Sequence, residues 1–213
     1  MSEWLNNSFE TFDGACFNVM NGLAKCSGGF FTPFFKFVSF FGEGGIFFII
    51  LSLVLMLFQK TRKHGFTMLV AIGVGALFTN VIIKNAVARP RPFNASEEYR
   101  AFWEFVSAKE QSEYSFPSGH TTATMACMTA LFWCANKKFS WLGMLFALVM
   151  AISRVYLIVH YATDVIAGLV IGAIAGTVAY FIFRCIYKKL RQYSSKPFCD
   201  FLLNKNVYGK SEK

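Results

Sequence analysis

His160 and Asp164 stand four residues apart in the stretch Ser153-Arg154-Val155-Tyr156-Leu157-Ile158-Val159-His160-Tyr161-Ala162-Thr163-Asp164, which is otherwise almost purely apolar. If a helix begins near His160, that spacing brings the carboxylate to the imidazole. A carboxylate bonded to one ring nitrogen fixes the tautomer and leaves the other nitrogen free to attack. Arg154, one loop away, offers a forked cation that suits oxyanions. This is the chemistry of a nucleophilic histidine acting on a phosphate. Read alone, the same residues equally suit a membrane-edge histidine beside a helix-capping aspartate.

A second stretch, Ser115-Phe116-Pro117-Ser118-Gly119-His120-Thr121, opens an apolar segment. Backbone N–H groups at a helix N-terminus bind phosphate oxygens without a full charge. Gly119 lets the backbone come close, the Ser118 hydroxyl can donate, and His120 is placed to protonate a leaving oxygen. On its own the stretch is also an ordinary cap and turn. A third group is cationic: Lys84, Arg89 and Arg91, the last held in Arg89-Pro90-Arg91-Pro92, where the prolines stiffen the chain and present the guanidinium on a rigid, extended segment. Snorkelling to the headgroups explains one or two such cations. A cluster beside an acid/base pair suggests an anionic substrate.

The elements that must position these residues are membrane helices. Of 213 residues, 55% are hydrophobic and 15% charged, with a mean hydropathy of +0.44, too apolar for an ordinary soluble domain. The net charge of +9 sits mostly in short tracts beside apolar segments, as membrane topology produces; no nucleic-acid motif accompanies it. Apolar runs centred on 46–58, 65–86, 118–135, 139–158 and 162–187 predict five spans in an all-α transmembrane bundle. Basic tracts at 60–63, 137–138 and 188–196 fall on one side, which the positive-inside rule makes cytoplasmic. The loops 42–45, 87–117 and 159–161 then face outside. Residues 1–41 are expected as surface helices there, or as a sixth, less regular span. An amphipathic helix over 4–24 turns Leu5, Phe9, Phe12, Cys16, Val19, Met20 and Leu23 one way and Glu3, Asn6, Glu10, Asp13 and Asn21 mostly elsewhere. Residues 97–109 predict a further surface helix capped by Ser96, or a plain connecting loop; as a helix its face of Tyr99, Phe102, Trp103 and Val106 would border a lipid entrance. Gly168, Gly172 and Gly176 give the last span a close-packing stripe.

The six cysteines form no C-x-x-C pair, so zinc or redox chemistry has little support. Cys16 and Cys26 would pair only if both faced an oxidising side. Met1-Ser2-Glu3 lacks the basic start of a secretory signal.

Taken together, Lys84-x6-Arg91-Pro92, Pro117-Ser118-Gly119-His120 and Ser153-Arg154-x5-His160-x3-Asp164 resemble the three motifs of the phosphatidic acid phosphatase type 2 superfamily, in order and with the family spacing. The resemblance covers roughly residues 30–187. Ile158 stands where many relatives have Gly, and Ala162 where many have Pro. The resemblance implies a phosphatase domain over 42–187, between the N-terminal helices of 1–41 and a basic cytoplasmic tail over 188–213. It implies that His160 forms a phosphohistidine, Asp164 orients it, and His120 serves as general acid and then base. Lys84, Arg91, Arg154, Ser118 and the N–H of Gly119 would hold the phosphoryl oxygens. No carboxylate pair suited to Mg²⁺ accompanies the motifs, so neither metal nor cofactor is expected. The implied partners are a lipid phosphate and membrane lipids, with undecaprenyl pyrophosphate favoured and phosphatidylglycerophosphate or phosphatidic acid as alternatives. A channel or transporter would require a polar path through the cytoplasmic halves of the spans, which are nearly all apolar. A lipid-binding pseudoenzyme would not need His120, His160 and Asp164 intact.

Overall fold

The computed structural model describes residues 1–193, 195–197 and 200; most of the expected basic tail over 188–213 lies outside the described residues. Among the described residues the helices run α1 Ser2–Cys26, α2 Thr32–Phe41, α3 Ile46–Leu57, α4 Arg62–Ala76, α5 Lys84–Val87, α6 Glu97–Val106, α7 Gly119–Cys134, α8 Lys137–Tyr156 and α9 Ala162–Gln192, and no strand is present.

Four helical stretches are long and apolar enough to cross a membrane: Thr32–Leu57, Arg62–Asn94, Lys137–Tyr156 and Ala162–Gln192. Large side chains such as Ile50, Val81, Leu145, Ile174 and Phe181 are exposed on their outward faces, an arrangement that hydrocarbon, not water, accommodates. At two places the observed helices differ in detail from the expected segments. The 118–135 segment is α7, only 16 residues long, which rises about 24 Å against a hydrocarbon thickness of about 30 Å. Residues 32–41, within the 1–41 stretch expected as surface helices or a sixth span, continue into the apolar stretch Thr32–Leu57. Helix α2 joins α3 through a 3₁₀ turn in which Gly44 and Gly45 take φ of +59° and +69°, values that glycine adopts freely.

Helix α7 is the centre of the bundle. It packs against α4, α8 and above all α9. Its interior threonines satisfy themselves locally: Thr122 donates to the Ser118 carbonyl at 3.0 Å and Thr124 to the His120 carbonyl at 2.8 Å. The stripe Gly168, Gly172 and Gly176 explains the α7–α9 contact. A Cβ on Gly172 would lie 2.6 Å from the Thr122 carbonyl oxygen and one on Gly176 2.5 Å from that of Ala126. At the opposite end from the three motifs, His64 Nε2 lies 3.2 Å from the Cys134 carbonyl oxygen. That contact gathers the basic tracts at 60–63 and 137–138 at one end of the bundle.

Two amphipathic expectations change. Helix α1 forms, but it buries Leu5, Asp13, Phe17, Asn21 and Ala24, while Phe9, Phe12, Val19 and Leu23 are exposed. Its polar members face the protein because Asp13 meets a buried arginine there. Helix α6 starts at Ser96, whose Oγ accepts from the Tyr99 N–H at 3.3 Å. Its apolar face packs inward: Phe102 and Val106 are buried with Phe17, Phe93 and Tyr156, and Trp103 packs 5.1 Å from Phe93. That face is engaged by protein and does not border an entrance. Cys16 and Cys26 are free thiols; ten residues along one helix put them about 15 Å apart, beyond the reach of a bridge.

Candidate active site

The turn between α8 and α9 carries His160. It is a tight turn: Val159 donates its N–H to the Arg154 carbonyl at 3.3 Å, and Ile158 sits at φ +50°. That left-handed conformation costs a β-branched residue about 1–2 kcal/mol. Arg91 fixes the turn from outside, its Nη1 donating to the Val159 carbonyl at 2.8 Å and its Nε to the Glu113 carbonyl at 2.7 Å. The same Nη1 lies 3.4 Å from His160 Nε2. A guanidinium only donates, so Nε2 meets it with a lone pair.

Asp164 stands on the other side of the ring, in the first turn of α9. Its Oδ2 lies 3.6 Å from His160 Nδ1, longer than a hydrogen bond. Oδ2 accepts from the Ser115 hydroxyl and from the Tyr161 N–H at 3.0 Å, and Ser115 Oγ is 3.4 Å from His160 Nδ1. Oδ1 accepts from Arg89 Nη1 at 2.6 Å. Arg89, only 1% exposed, also donates through Nη2 to Asp13 Oδ2 at 2.9 Å and through Nε to Asn6 Oδ1 at 2.8 Å. Its guanidinium lies over the Tyr161 ring. Asp13 in turn accepts the Thr163 N–H at 2.9 Å and the Thr163 hydroxyl at 2.8 Å.

His160 and His120 line one cavity of about 180 Å³ together with Lys84, Arg91 and Gly119. Lys84 follows a π-helical turn, Leu77–Ile83, the kind of local unwinding that re-aims a helix at functional positions. It is buried and pairs with the Glu113 carboxylate. Arg154, 3% exposed, lines an adjoining cavity that also includes His120. Its Nη1 reaches Ser39 Oγ, while Nε and Nη2 are buried without a partner. Ser118 is fully buried at the N-cap of α7, where its Oγ accepts from Thr121 at 3.0 Å and its N–H donates to the Asp164 carbonyl at 3.1 Å. It is not part of the cavity wall, whereas Gly119 is. The motif residues thus converge, with Ser118 one layer beneath the surface.

Burial, and then the cations of Arg91, Arg154 and Lys84, hold His160 well below the ordinary imidazole range. That favours the neutral ring that a nucleophile needs. The Lys84 ammonium holds the Glu113 carboxyl below the usual carboxylate range. Among the described residues no three His, Cys, Asp or Glu side chains are grouped to hold a metal ion.

Four participants escaped the sequence reading. Arg89 is grouped by sequence with the cations that suggest an anionic substrate, whereas here it pairs with Asp13 and Asp164 behind His160. Ser115 opens the stretch that carries His120, and its sequence position alone gives it no role. Glu113 and Asp13 carried no sequence signal.

A neutral imidazole facing clustered guanidinium and ammonium groups at one end of a membrane-spanning helical bundle is a setting for an oxyanionic group at headgroup depth. Comparison with known proteins gives this arrangement its family. The family model described as PAP2 superfamily matches residues 63–190, and the chain belongs to that superfamily. The chain is similar to an undecaprenyl-diphosphatase of Sulfolobus acidocaldarius, 32% identical over 56% of this chain and 55% of the relative. It therefore spans little more than half the length of that relative. It is also similar to undecaprenyl-diphosphatase BcrC of Bacillus subtilis, 29% identical over 72% of each chain, and to phosphatidylglycerophosphatase B of the same species, 28% identical over 66% of each. Among solved structures, the Bacillus subtilis transmembrane PAP2 type phosphatidylglycerolphosphate phosphatase superposes with a TM-score of 0.63 at 21% identity, covering 86% of this chain and 88% of that one. Aquifex aeolicus LpxE gives 0.62 at 24% identity, covering 76% and 91%. These two likenesses concern the fold.

Proposed function

We propose that this protein is an integral membrane lipid phosphatase that hydrolyses a lipid phosphate or pyrophosphate, undecaprenyl pyrophosphate in preference, through a phosphohistidine. The observation that carries the reading is His160, which turns Nε2 and its lone pair toward Arg91 and the cavity while Asp164 and Ser115 stand behind Nδ1.

Nε2 attacks phosphorus, the N–P bond forms and the P–O bond to the leaving group breaks. His120 gives its proton to the departing oxygen. Water then attacks the phosphohistidine, His120 takes its proton, the N–P electrons return to His160, and inorganic phosphate leaves. Lys84, Arg91, Arg154 and the Gly119 N–H hold the oxygens, and most of the rate comes from that positioning and charge. Ser118 supports the site from beneath, its N–H tying the start of α7 to the Asp164 carbonyl. Asp164 steadies the imidazolium character that develops on His160. The reaction needs no metal or cofactor.

The names of the relatives support a polyprenyl pyrophosphate substrate, and phosphatidylglycerophosphate is the second reading they support. Phosphatidic acid remains a further member of the same lipid class. The site lies at the end of the bundle away from the basic tracts, which supports an extracytoplasmic active site in the plasma membrane. In this reading α7 is a fifth, protein-sheathed crossing. Residues 42–187 form the core of the catalytic bundle; within 1–41, α2 extends its first crossing and α1 lies over the outer side, and a basic cytoplasmic tail follows over 188–213.

The test is phosphate release by purified protein from a panel of lipid phosphates in the presence of a chelator. Turnover and an acid-labile phosphoprotein are expected for the wild type, and neither for His160→Ala. Near-normal release by His160→Ala would overturn the mechanism.

A further inference from the structure

Two cavities meet at His120. One, of about 180 Å³, holds His160, Lys84 and Arg91; the other, of about 250 Å³, lies between α2 and the segment 107–111 and holds Arg154, Lys36 and Lys109. In an in-line displacement the attacking nitrogen and the leaving oxygen lie on opposite sides of phosphorus. With His160 attacking from the first cavity and His120 protonating the leaving oxygen, the leaving group lies toward the second.

The charge of the second cavity tells what kind of leaving group it suits. Arg154 is buried there, and its Nε and Nη2 have no partner. Two unmatched guanidinium donors out of water are costly unless an anion meets them. Lys36, on α2, lines the same cavity and makes no hydrogen bond or ion pair among the described residues. The one carboxylate in the wall, Glu43, is already paired with Lys109. The leaving group of a monoester is an uncharged alcohol once protonated. The leaving group of a diphosphate is itself a phosphate monoester and brings the matching charge.

We propose that the cavity formed by Arg154, Lys36 and the 107–111 segment is a second phosphate subsite, which holds the lipid-linked phosphate of a diphosphate while the terminal phosphoryl group is transferred. The proposal rests on the lipid phosphatase reading above and narrows its substrate. His160 Nε2 bonds to the terminal phosphorus, and the bond from that phosphorus to the bridging oxygen breaks. The bridging oxygen keeps the electron pair and takes the His120 proton, so a lipid monophosphate departs through the second cavity. Arg154, with two free donors, spans both phosphates. Lys36 touches only the departing one and therefore determines specificity.

The experiment compares farnesyl diphosphate with farnesyl monophosphate as substrates for the purified full chain and its Lys36→Ala and Lys36→Glu variants. Lys36 is exposed on α2, so both variants keep the fold. The ratio of kcat/KM for diphosphate over monophosphate is expected to fall about tenfold in Lys36→Ala, the usual worth of one charge-assisted hydrogen bond, and further in Lys36→Glu. An unchanged ratio in both variants, or a wild type that cleaves only the monophosphate, overturns the subsite and leaves the phosphatase reading standing. A wild type that cleaves neither substrate nor any other lipid phosphate overturns the phosphatase reading itself.

Discussion

Asp13, in the first helix, and Asp164, in the last, share one buried guanidinium: Arg89 donates to Asp13 Oδ2 at 2.9 Å and to Asp164 Oδ1 at 2.6 Å. Neither carboxylate is solvated, with exposures of 5% and 0%. The N-terminal helix is therefore part of the frame that holds the carboxylate behind His160. Removing one partner of a buried ion pair leaves an uncompensated charge and costs about 3–5 kcal/mol. Asp13→Ala should lose about that much in unfolding experiments in detergent. Arg89→Ala should lose more, because it strands two carboxylates at once. In whatever fraction of Asp13→Asn remains folded, kcat should fall while KM stays near the wild-type value, since the substrate-binding cations do not touch Asp13. A variant with full kcat would remove Asp13 from the positioning chain.

His120 has two tasks in the proposed mechanism, and they separate experimentally. A lipid alcohol or phosphate leaves slowly without a proton, so His120→Ala should lower lipid turnover about 10²–10⁴-fold. Nitrophenolate is a good leaving group and needs no acid. With p-nitrophenyl phosphate the variant should release about one equivalent of nitrophenolate per protein in a burst and then turn over slowly, because the base for water is missing. Absence of a burst, with both substrates slowed alike, would count against the assignment.

The depressed pKa of His160 sets a pH dependence. The attacking form is the neutral ring, which predominates above the pKa. Burial, Arg91, Arg154 and Lys84 all lower that pKa, so the active form persists to lower pH than for an ordinary histidine. The acid limb of kcat/KM, which reports the free enzyme, should lie below pH 6.5 once the substrate's own ionisation is allowed for. Arg91→Gln removes one cation and should move that limb upward while weakening binding.

The three motifs were legible because each is local. Four-residue spacing, a Pro-Ser-Gly-His turn and a proline-stiffened arginine declare themselves within a dozen residues. The partners that hold the motifs in register were not, because they are contacts across the chain. Asp13 meets Thr163 over 150 positions, and an acid on an amphipathic helix reads as a solvated face. The same reasoning misdirected α6, whose apolar face packs against Phe17 and Tyr156 where a sequence pattern equally allows lipid. One departure from the family pattern did carry structural information: Ile158 stands at a glycine-favouring position and takes φ +50°.

Close approach of α7 and α9 is required by the site, since Ser118 and Asp164 are joined through the Ser118 N–H at 3.1 Å. Gly172→Ala tests that approach. The added methyl would lie 2.6 Å from the Thr122 carbonyl oxygen and 3.0 Å from the Ala126 nitrogen, backbone atoms that cannot rotate away. Overpacking of a well-filled interior costs about 1–3 kcal/mol, and the rigid neighbours place this site at the upper end. A lowered unfolding temperature in detergent is expected, whereas Gly73→Ala on α4, where nothing lies within 4 Å of the new methyl, should be neutral or slightly stabilising. Equal behaviour of the two variants would contradict the close packing.

Glu113 gives the last prediction, and it concerns the release of product. Lys84 is one of the cations assigned to the phosphoryl oxygens, yet it is paired with the Glu113 carboxylate. A phosphate and that carboxylate compete for the same ammonium, and Glu113, 67% exposed, can swing away. Competition of this kind weakens binding of every phosphate in the cavity, inorganic phosphate included, and so hastens its departure. Glu113→Gln keeps the side chain's shape and removes the charge. Inhibition by inorganic phosphate should tighten by about tenfold, the effect of losing one charged competitor of roughly 1.4 kcal/mol. KM for substrate should fall with it, and kcat should fall wherever phosphate release limits turnover. A Glu113→Gln protein with an unchanged inhibition constant for phosphate would mean that Lys84 is not released to the substrate and that another cation carries its assigned role.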